Sequence, residues 1–504
     1  MKQKSTIAWA TLFFLLHLCP DAGSVRAQTA GSSGAENSPA HSPGAFRSAA
    51  GTTEKDIPYY ISHAPFPMQP VAAPVIPDRA FSILDYGAVG DGQTLNTAAF
   101  EKAIGACAAA GGGRLTVPAG LWLTGPIALK SNIDLHLERE ALVVFTRDHT
   151  QYPMIPPPGG GHNPIVASPV YGFNLQNIAI TGEGILDGGG DSWRPVKKNK
   201  TTAGQWKELV ATSGSVVSPD GEVWWPNKDG AEGDRLRPYM VYLVNCHNIL
   251  IEGVTIRNSP KFVFYPNNCS ELTMSRVNIF NEWWAQNGDG IDISACRNVI
   301  LYRCTVSAGD DGICMKSSGK AGLENVIVAG CTVYRAHGGF VIGSNTDGGM
   351  RNIAVSDCSF IGTDVGLRFK SNMGRGGLVS GIFIRDITMR DIVNEAVLFD
   401  TYYENVPAGA VRDPSKALPK DKVPEFRDFH ISHVWCSGAK TAISITGLPD
   451  MPVSEIHFDS VVISSIRGLV ASQAKKIGLS HVKLITVELP VVRADKTAEV
   501  EVKD

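Results

Sequence analysis

The hydrophobic and polar positions of this chain repeat from about residue 177 onward. Each copy is a short run with alternating apolar residues, as in Asn298-Val-Ile-Leu and Asn325-Val-Ile-Val. The step from Asn298 to Asn325 and on to Asn352 is 27 residues each time. A period of roughly 20 to 29 residues is typical of a parallel β-helix, whose coils pack only on their neighbours. The copies begin at Asn177, Asn248, Glu271, Asn298, Asn325, Asn352, Gly381, Asp428 and Glu455.

We therefore predict an all-β fold, a right-handed parallel β-helix. A short helix over 96–110 is expected to cover the open end of the first coils, which would protect an edge strand. Asn96 is a suitable N-cap and Gly111-Gly112-Gly113 a suitable stop. The apolar residues at helical spacing are Ala99, Ala103, Ile104 and Cys107.

The N-terminal part predicts three regions. Residues 1–27 have the pattern of a signal peptide, with Lys2 and Lys4 before an apolar stretch that is too short for a comfortable transmembrane helix. Residues 28–79 are expected to be a flexible linker and an extended, proline-rich lead-in. Residues 80–504 then form the β-helix domain. The chain is expected to be exported, periplasmic or secreted, with no membrane span.

Two inserts interrupt the repeat. The interval from Asp187 to Asn248 is longer than clean coils require, and the interval from Gly381 to Asp428 carries Tyr402-Tyr403. Inserts on a solenoid usually lie on one face and shape its binding groove. Loops that close a groove leave a pocket for a chain end, so we expect action on chain ends. The tryptophans of the first insert are Trp193, Trp206, Trp224 and Trp225.

Composition limits the partners. The net charge of −3 gives no reason to expect nucleic acid or an anionic membrane, so an anionic substrate must be held by local cations. Nine cysteines follow residue 27, without short paired spacings, and we expect buried thiols instead of a disulfide framework or a zinc site. No repeat feature indicates an oligomer, and a monomer is expected.

Acidic and basic residues fall at nearly one phase of successive repeats. Asp310 lies 12 residues after Asn298, and His337 lies 12 residues after Asn325. In a coiled fold such residues stack on one wall, and the 21 residues from Asp289 to Asp310 correspond to one coil. The candidate residues at this phase are Asp289, Asp310, Asp311, His337, Arg368 and Lys370.

Three neighbouring carboxylates cannot all ionise normally, so one is expected to stay protonated. A protonated acid beside ionised carboxylates is suited to glycoside hydrolysis. Inversion would place acid and base about 6.5 to 9.5 Å apart, with a water between them. The cation pair Arg368 and Lys370 suits a sugar acid better than a neutral sugar.

At these residues the chain resembles the polygalacturonases, glycoside hydrolase family 28. The shared motifs are Asn287-Gly-Asp289, Gly309-Asp310-Asp311, Ala336-His337-Gly338 and Arg368-Phe-Lys370. The similarity extends over residues 80 to about 460. Gly288 and Ala336 depart from the family pattern, but neither removes a functional group.

The resemblance implies a pectin-lyase-like solenoid and an inverting hydrolase of α-1,4-galacturonosyl linkages, with no cofactor and no metal. It implies that Asp310 is the general acid, that Asp289 and Asp311 activate water, and that His337 supports the acid. Arg368 and Lys370 would hold a galacturonate carboxylate. Asn287, Lys316 and Tyr403 are further candidates for substrate contacts. One of Trp283 and Trp284 is expected to stack on a sugar and the other to lie in the core.

Alternatives remain open from the sequence. A pectic polysaccharide lyase on the same fold would need a cation such as Ca²⁺, which the three aspartates could bind. A hydrolase of rhamnogalacturonan would use the same constellation. A non-catalytic β-helix, such as an adhesin, would leave the clustered acids unexplained.

Overall fold

The fold was examined in a computed structural model that describes residues 55–233, 236–319, 321–403 and 419–503. Most of these residues form short β-strands. Within the described residues, no helix is both long and apolar enough to cross a membrane. The α-helices are α1 (Ile57–Ser62), α2 (Thr97–Ala109), α3 (Ala203–Val210) and α4 (Lys228–Glu232).

The strands become longer toward the C-terminus. The first are β1 (Ala80–Ser82), β2 (Gly113–Val117), β3 (Gly120–Thr124), β4 (Ile127–Ala128), β5 (Ile133–Leu137), β6 (Ala141–Phe145), β7 (Met154–Ile155), β8 (Ile165–Val166), β9 (Val170–Phe173), β10 (Gln176–Gly182), β11 (Ile185–Asp187), β12 (Val196–Lys197), β13 (Val216–Val217) and β14 (Val223–Trp225). The middle coils comprise β15 (Val241–Val244), β16 (His247–Glu252), β17 (Thr255–Arg257), β18 (Phe264–Asn267), β19 (Ser270–Ser275), β20 (Asn278–Phe280), β21 (Ile291–Ser294), β22 (Arg297–Tyr302), β23 (Thr305–Ser307), β24 (Asp311–Ser317), β25 (Leu323–Ala329) and β26 (Thr332–Tyr334). The last are β27 (Gly338–Thr346), β28 (Met350–Ile361), β29 (Leu367–Lys370), β30 (Leu378–Arg390), β31 (Glu395–Asp400), β32 (Glu425–Ser437), β33 (Thr441–Thr446), β34 (Val453–Ser465), β35 (Arg467–Ser472), β36 (Ala474–Thr486), β37 (Val492–Ala494) and β38 (Ala498–Lys503).

These strands stack as parallel rows, which confirms the predicted β-helix. In the coils before β28, one row runs through β10, β16, β19, β22 and β25, and a second through β11, β17, β20, β23 and β26. From β28 onward a single long strand serves both rows. The third row is a separate sheet that includes β18, β21, β24, β27, β29 and β31. This third row is the face that carries the candidate residues, and we call it the site sheet.

The start of every repeat has the same unusual backbone. All eight non-glycine starts have a left-handed φ between 51° and 61°, and Gly381 has φ 66°. Asn tolerates this conformation better than other residues with a side chain, because it can hydrogen-bond locally. Its amide also bonds between coils: Asn325 donates to Asn298 at 3.0 Å and accepts from Asn352 at 3.0 Å. A corner of the coil therefore produces the repeat seen in the sequence.

The interior of the coils is apolar. Side chains of one coil lie on the equivalent side chains of the next, as Leu301 on Val328 and Val355. The cysteines among the described residues are all buried and unpaired, as expected. They include the ladders Cys246, Cys269 and Cys296, and Cys304, Cys331 and Cys358.

Helix α2 lies where the cap was predicted and packs on the first strands. Its apolar side chains, including Phe100 and Ile104, are buried in the main core. The expected side-chain cap is wrong, however: Asn96 stands at the N-cap without a capping bond. Its amide instead bonds the loop, accepting from the Val89 N–H at 2.7 Å and donating to Leu123 O at 3.1 Å.

The described part of the predicted lead-in, 55–79, is not simply extended. It begins with α1, whose N-cap Asp56 accepts a hydrogen bond from the Tyr59 N–H. Tyr60 and Phe66 are buried against the outside of the coils, and Lys55 bonds Asp357 at 2.8 Å. These residues belong to the same compact unit as the β-helix, Lys55–Asp504. The predicted signal peptide and the linker up to residue 54 lie outside the described residues.

The first insert forms a small structure of its own. Strand β14 pairs antiparallel with β12 and β13, and α3 begins with a capping box between Thr202 and Gln205. Trp224 is buried, and its Nε1 donates to Leu209 O at 2.8 Å. The insert therefore has a defined structure beside the coils. Most of the second insert, 404–418, lies outside the described residues.

Candidate active site

The candidate residues lie at or beside the first residues of consecutive strands in the site sheet. Asp289 precedes β21, Asp310 and Asp311 lie at the start of β24, and His337 precedes β27. The single-wall prediction is thus confirmed, but the register differs by one residue from the prediction. Ile291 pairs with Ile313, so the residue at the level of Asp289 is Asp311. Asp311 pairs with Gly338, which places Asp310 beside His337.

The three aspartates form a compact group. One carboxylate oxygen from each of Asp289, Asp310 and Asp311 lies within 4.8 Å of the others. This is closer than the separation of about 6.5 to 9.5 Å expected for an inverting pair, so that expectation was wrong. Asp289 and Asp311 are buried, whereas the Asp310 side chain is 19% exposed. Asp310 is therefore the member that faces the groove most openly.

Asp311 is fixed by two cations. Arg368 Nη1 donates to its Oδ1 at 3.0 Å and Lys370 Nζ donates to its Oδ2 at 2.8 Å. Burial alone would raise the pKa of Asp311, but the charges of Lys370 and Arg368 outweigh it and hold the pKa well below the ordinary value. Both cations that the sequence analysis assigned to substrate are thus occupied by a buried carboxylate in the free protein.

Asp289 has the opposite electrostatics. Burial raises the pKa of its carboxyl well above the ordinary value, and the charges of Asp292 and Asp310 raise it further. Lys316 opposes this rise, since its Nζ lies 3.4 Å from Asp289 Oδ2. A protonated and an ionised carboxyl therefore lie side by side in the group.

Asp292 is a neighbour of this group that the sequence analysis missed. Its side chain is fully buried, and Lys316 Nζ lies 3.0 Å from its Oδ1. Burial raises the pKa of Asp292 to about 6, against the lowering effect of Lys316. The signal was present in Ile291-Asp-Ile293, an acid inside an apolar run. Lys316 was proposed as a substrate contact, but it is buried and bonded to carboxylates.

His337 contacts Asp310 as expected. Its Nδ1 lies 3.0 Å from Asp310 Oδ1, and its backbone N–H donates to Asp310 O at 2.7 Å. Its Nε2 lies 3.8 Å from Asp364 Oδ2, a second contact that the sequence analysis missed. The imidazole thus lies between two carboxylates and orients Asp310.

Tyr403 and Asn287 occupy different places. The Tyr403 ring lies 4.8 Å from Lys370 Nζ and 5.4 Å from Arg368 Cζ, so it borders the groove. Asn287 Oδ1 accepts from Arg237 Nη2 at 2.9 Å. Arg237 was not predicted, and it ties the end of the first insert to the first catalytic motif. Asn287 thus acts in the structure as an anchor for this insert.

Trp283 and Trp284 both lie at the surface, with 43% and 38% of each residue exposed. The expectation that one lies in the core was therefore wrong. Their rings meet edge to face at 5.9 Å. Lys200, from the first insert, lies over the Trp283 ring at 5.1 Å. The insert therefore reaches the groove beside the aspartates.

Asp289, Asp310 and Asp311 are also the acidic group that could hold a cation among the described residues. Arg368, Lys370 and Lys316 already contact two of these three carboxylates. These positive charges oppose a divalent cation at this place. The arrangement suits proton transfer better than metal binding.

Known proteins share this sequence and architecture. Residues 202–482 match the family described as Glycosyl hydrolases family 28. A probable polygalacturonase of Vitis vinifera is 29% identical over 413 residues, covering 79% of this chain and 75% of the relative. An exo-poly-alpha-D-galacturonosidase of Dickeya chrysanthemi is 28% identical over 442 residues, covering 80% and 71%. The crystal structure of an exopolygalacturonase from Thermotoga maritima is similar with a TM-score of 0.66 and 28% identity, covering 82% of this chain and 94% of that one.

Proposed function

The chain belongs to glycosyl hydrolase family 28, and on this premise we propose that it is an exo-acting polygalacturonase that hydrolyses α-1,4-galacturonosyl linkages in pectin. The observation that carries the proposal is the group of Asp289, Asp310 and Asp311 with the cations Arg368 and Lys370 beside it. The acids supply proton transfer, and the cations suit an acidic sugar. Relatives named as exo-acting support the direction of attack.

The roles follow from the surroundings of each acid. Asp311 stays ionised, so a proton held by the group is shared between Asp289 and Asp310. Asp310, the more exposed, donates this proton to the glycosidic oxygen as the bond from that oxygen to the anomeric carbon breaks. A water held by Asp289 and Asp311 attacks the anomeric carbon and gives its proton to Asp289. His337 keeps the Asp310 carboxyl in place during this step.

We infer inversion in spite of the short separation. A retaining mechanism needs a free ionised carboxylate as nucleophile. Both oxygens of Asp311 accept hydrogen bonds from cations, and Asp289 is buried with a raised pKa. Neither is suited to attack carbon. NMR of the freshly released sugar should show the β-anomer first, and initial release of the α-anomer would contradict inversion.

The first insert supports exo action. Lys200 and the residues around α3 stand beside Trp283, so the groove is bounded on this side. A bounded groove admits a chain end more readily than the middle of a polymer. Conversion of polygalacturonate, measured as reducing ends and compared with Asp310→Asn, tests the proposed activity.

Export and a monomeric state complete the proposal. The basic and apolar pattern of the N-terminal residues supports a signal peptide, and pectin is a polymer found outside the cell. The partner is thus a pectic oligo- or polysaccharide met after export. Light scattering on the purified protein should give the mass of one chain, and a dimer would contradict this part.

A further inference from the structure

A second cavity lies between the first insert and the site sheet, on the His337 side of the aspartates. Its volume is about 270 Å³, close to the lower end of the range of about 300 to 1,000 Å³ for small-ligand sites. We call it the insert pocket. Its lining side chains are Lys200, Trp283, Ala308, Arg335, Ala336, His337 and Asp364, with Gly309 and Gly362.

The insert pocket contains two cations whose situation differs from that of Arg368 and Lys370. Those two already hold Asp311. Lys200 and Arg335 have no carboxylate partner among the residues that the structure describes. Lys200 Nζ instead lies over the Trp283 ring, at 5.1 Å from its centre, a contact that holds the ammonium in place at small cost. The pocket therefore presents two uncompensated positive charges.

The insert pocket also contains groups that match the rest of a sugar. The Trp283 ring is exposed and offers an apolar face to the C–H groups of a pyranose ring. Asp364, which lies 3.8 Å from His337, can accept hydrogen bonds from hydroxyl groups. The combination of cations, an aromatic face and one carboxylate is selective for an acidic sugar over a neutral one.

We propose that the insert pocket binds a uronate residue of the substrate, in addition to the one held near Arg368 and Lys370. Lys200 and Arg335 bind its carboxylate, and Trp283 packs on its ring. This inference rests on the proposed polygalacturonase function. It adds that the chain discriminates for an acidic sugar on both sides of the catalytic aspartates.

The neighbouring cavity indicates that the acidic sugars end here. This cavity, of about 300 Å³, lies farther along the insert and shares Lys200 and Trp283 with the insert pocket. Its lining includes Glu208, and Lys200 is its one cation among the described residues. A further uronate would thus meet a like charge at Glu208. The binding groove for uronates is therefore expected to stop at the insert pocket.

The test compares Lys200→Met and Arg335→Ala with the control Lys198→Met. Lys198 lies on the same insert but pairs with Glu222 at 3.3 Å and does not line the pocket. Loss of a charge-assisted contact should raise KM for galacturonate oligomers about tenfold or more, with kcat nearly kept. Arg335→Lys should restore part of the affinity. Trp283→Phe should be milder than Trp283→Ala.

A binding measurement separates this inference from the proposed function. In an Asp310→Asn background, calorimetric titration with trigalacturonate should show about tenfold weaker binding for Lys200→Met and unchanged binding for Lys198→Met. Wild-type hydrolysis and binding that neither Lys200→Met nor Arg335→Ala weakens would overturn the inference alone. A wild-type protein that neither binds nor hydrolyses galacturonate oligomers would overturn the proposed function, and the inference with it.

Discussion

Asp310 and Asp311 are adjacent in sequence but have different surroundings, and their substitutions should differ accordingly. Asp310 is partly exposed and contacts His337. Asp310→Asn should therefore keep the fold and its thermal midpoint, while kcat falls about 10²- to 10⁴-fold through loss of the general acid. Steady-state kinetics and thermal unfolding check this result. A folded variant with more than half of wild-type activity would remove Asp310 from the mechanism.

Asp311→Asn should cost stability as well as activity. The substitution leaves Arg368 and Lys370 buried without their counter-ion, and removing one partner of a buried ion pair costs about 3–5 kcal/mol. Because the pKa of Asp311 is lowered in the folded state, its contribution is present above the ordinary pKa of about 3.9 and is lost as pH falls toward the folded pKa. Urea unfolding at neutral pH measures the cost. An unchanged free energy of unfolding would contradict the two-cation clamp.

Asp292 should set the pH dependence of the reaction. Its charge raises the pKa of Asp289, and activity that needs a shared proton is lost as pH rises through this raised pKa. Asp292→Asn removes the raising charge and leaves Lys316 to lower the pKa, so the alkaline limb of kcat/KM should move to lower pH. Asp459→Asn, at an exposed carboxylate far along the coils, is the control. A limb that stays in place would exclude this role.

The catalytic motifs could be predicted from sequence because four of them share one repeat phase. The pairing within the group could not, since it depends on side-chain directions at strand starts. Arg368 and Lys370 were assigned to substrate and in fact hold Asp311. Lys316 was expected in the groove, yet it is buried beside Asp292.

The Asn ladder at the start of the coils can be tested by one pair of substitutions. Asn325 has φ 58° and bonds Asn298 and Asn352. Asn325→Ala and Asn325→Gly both lose these bonds, but alanine also pays about 1–2 kcal/mol for the left-handed backbone. Glycine loses about 0.4–1 kcal/mol through the unfolded chain. The glycine variant should therefore be more stable by roughly 0.5–1 kcal/mol in urea unfolding, and an alanine variant of equal or greater stability would argue against backbone strain as the origin of the repeat.

The elements that could be predicted are those whose geometry leaves a periodic trace. The left-handed corner demands Asn, Asp, Glu or Gly at one position per coil, so the strands of the first row were visible. Helix α1 was missed because Pro58 and the prolines after it indicate extended chain, whereas proline is also favoured at the first turn of a helix. The exact register was missed by one residue because coil length varies between 22 and 27 residues in the site sheet.

The whole chain combines a long, regular scaffold with two irregular inserts beside one face. The scaffold fixes the aspartates on rigid strand starts, which favours precise proton transfer. The first insert contributes Lys200 at the groove and is anchored through Arg237 to Asn287. The scaffold was predictable from the repeat, whereas the fold of the insert was not, because it has no period. The mode of attack therefore depends on the part of the chain that sequence patterns describe least.

The early course of hydrolysis on long polygalacturonate tests the central claim most directly. Viscosity, reducing ends and the size of the products should be followed together from the first minutes. An exo-acting hydrolase bounded by the first insert should release one small saturated product, a mono- or digalacturonate, while viscosity falls little. Rapid loss of viscosity with a ladder of intermediate oligomers would contradict exo action, and unsaturated, UV-absorbing products would contradict hydrolysis itself.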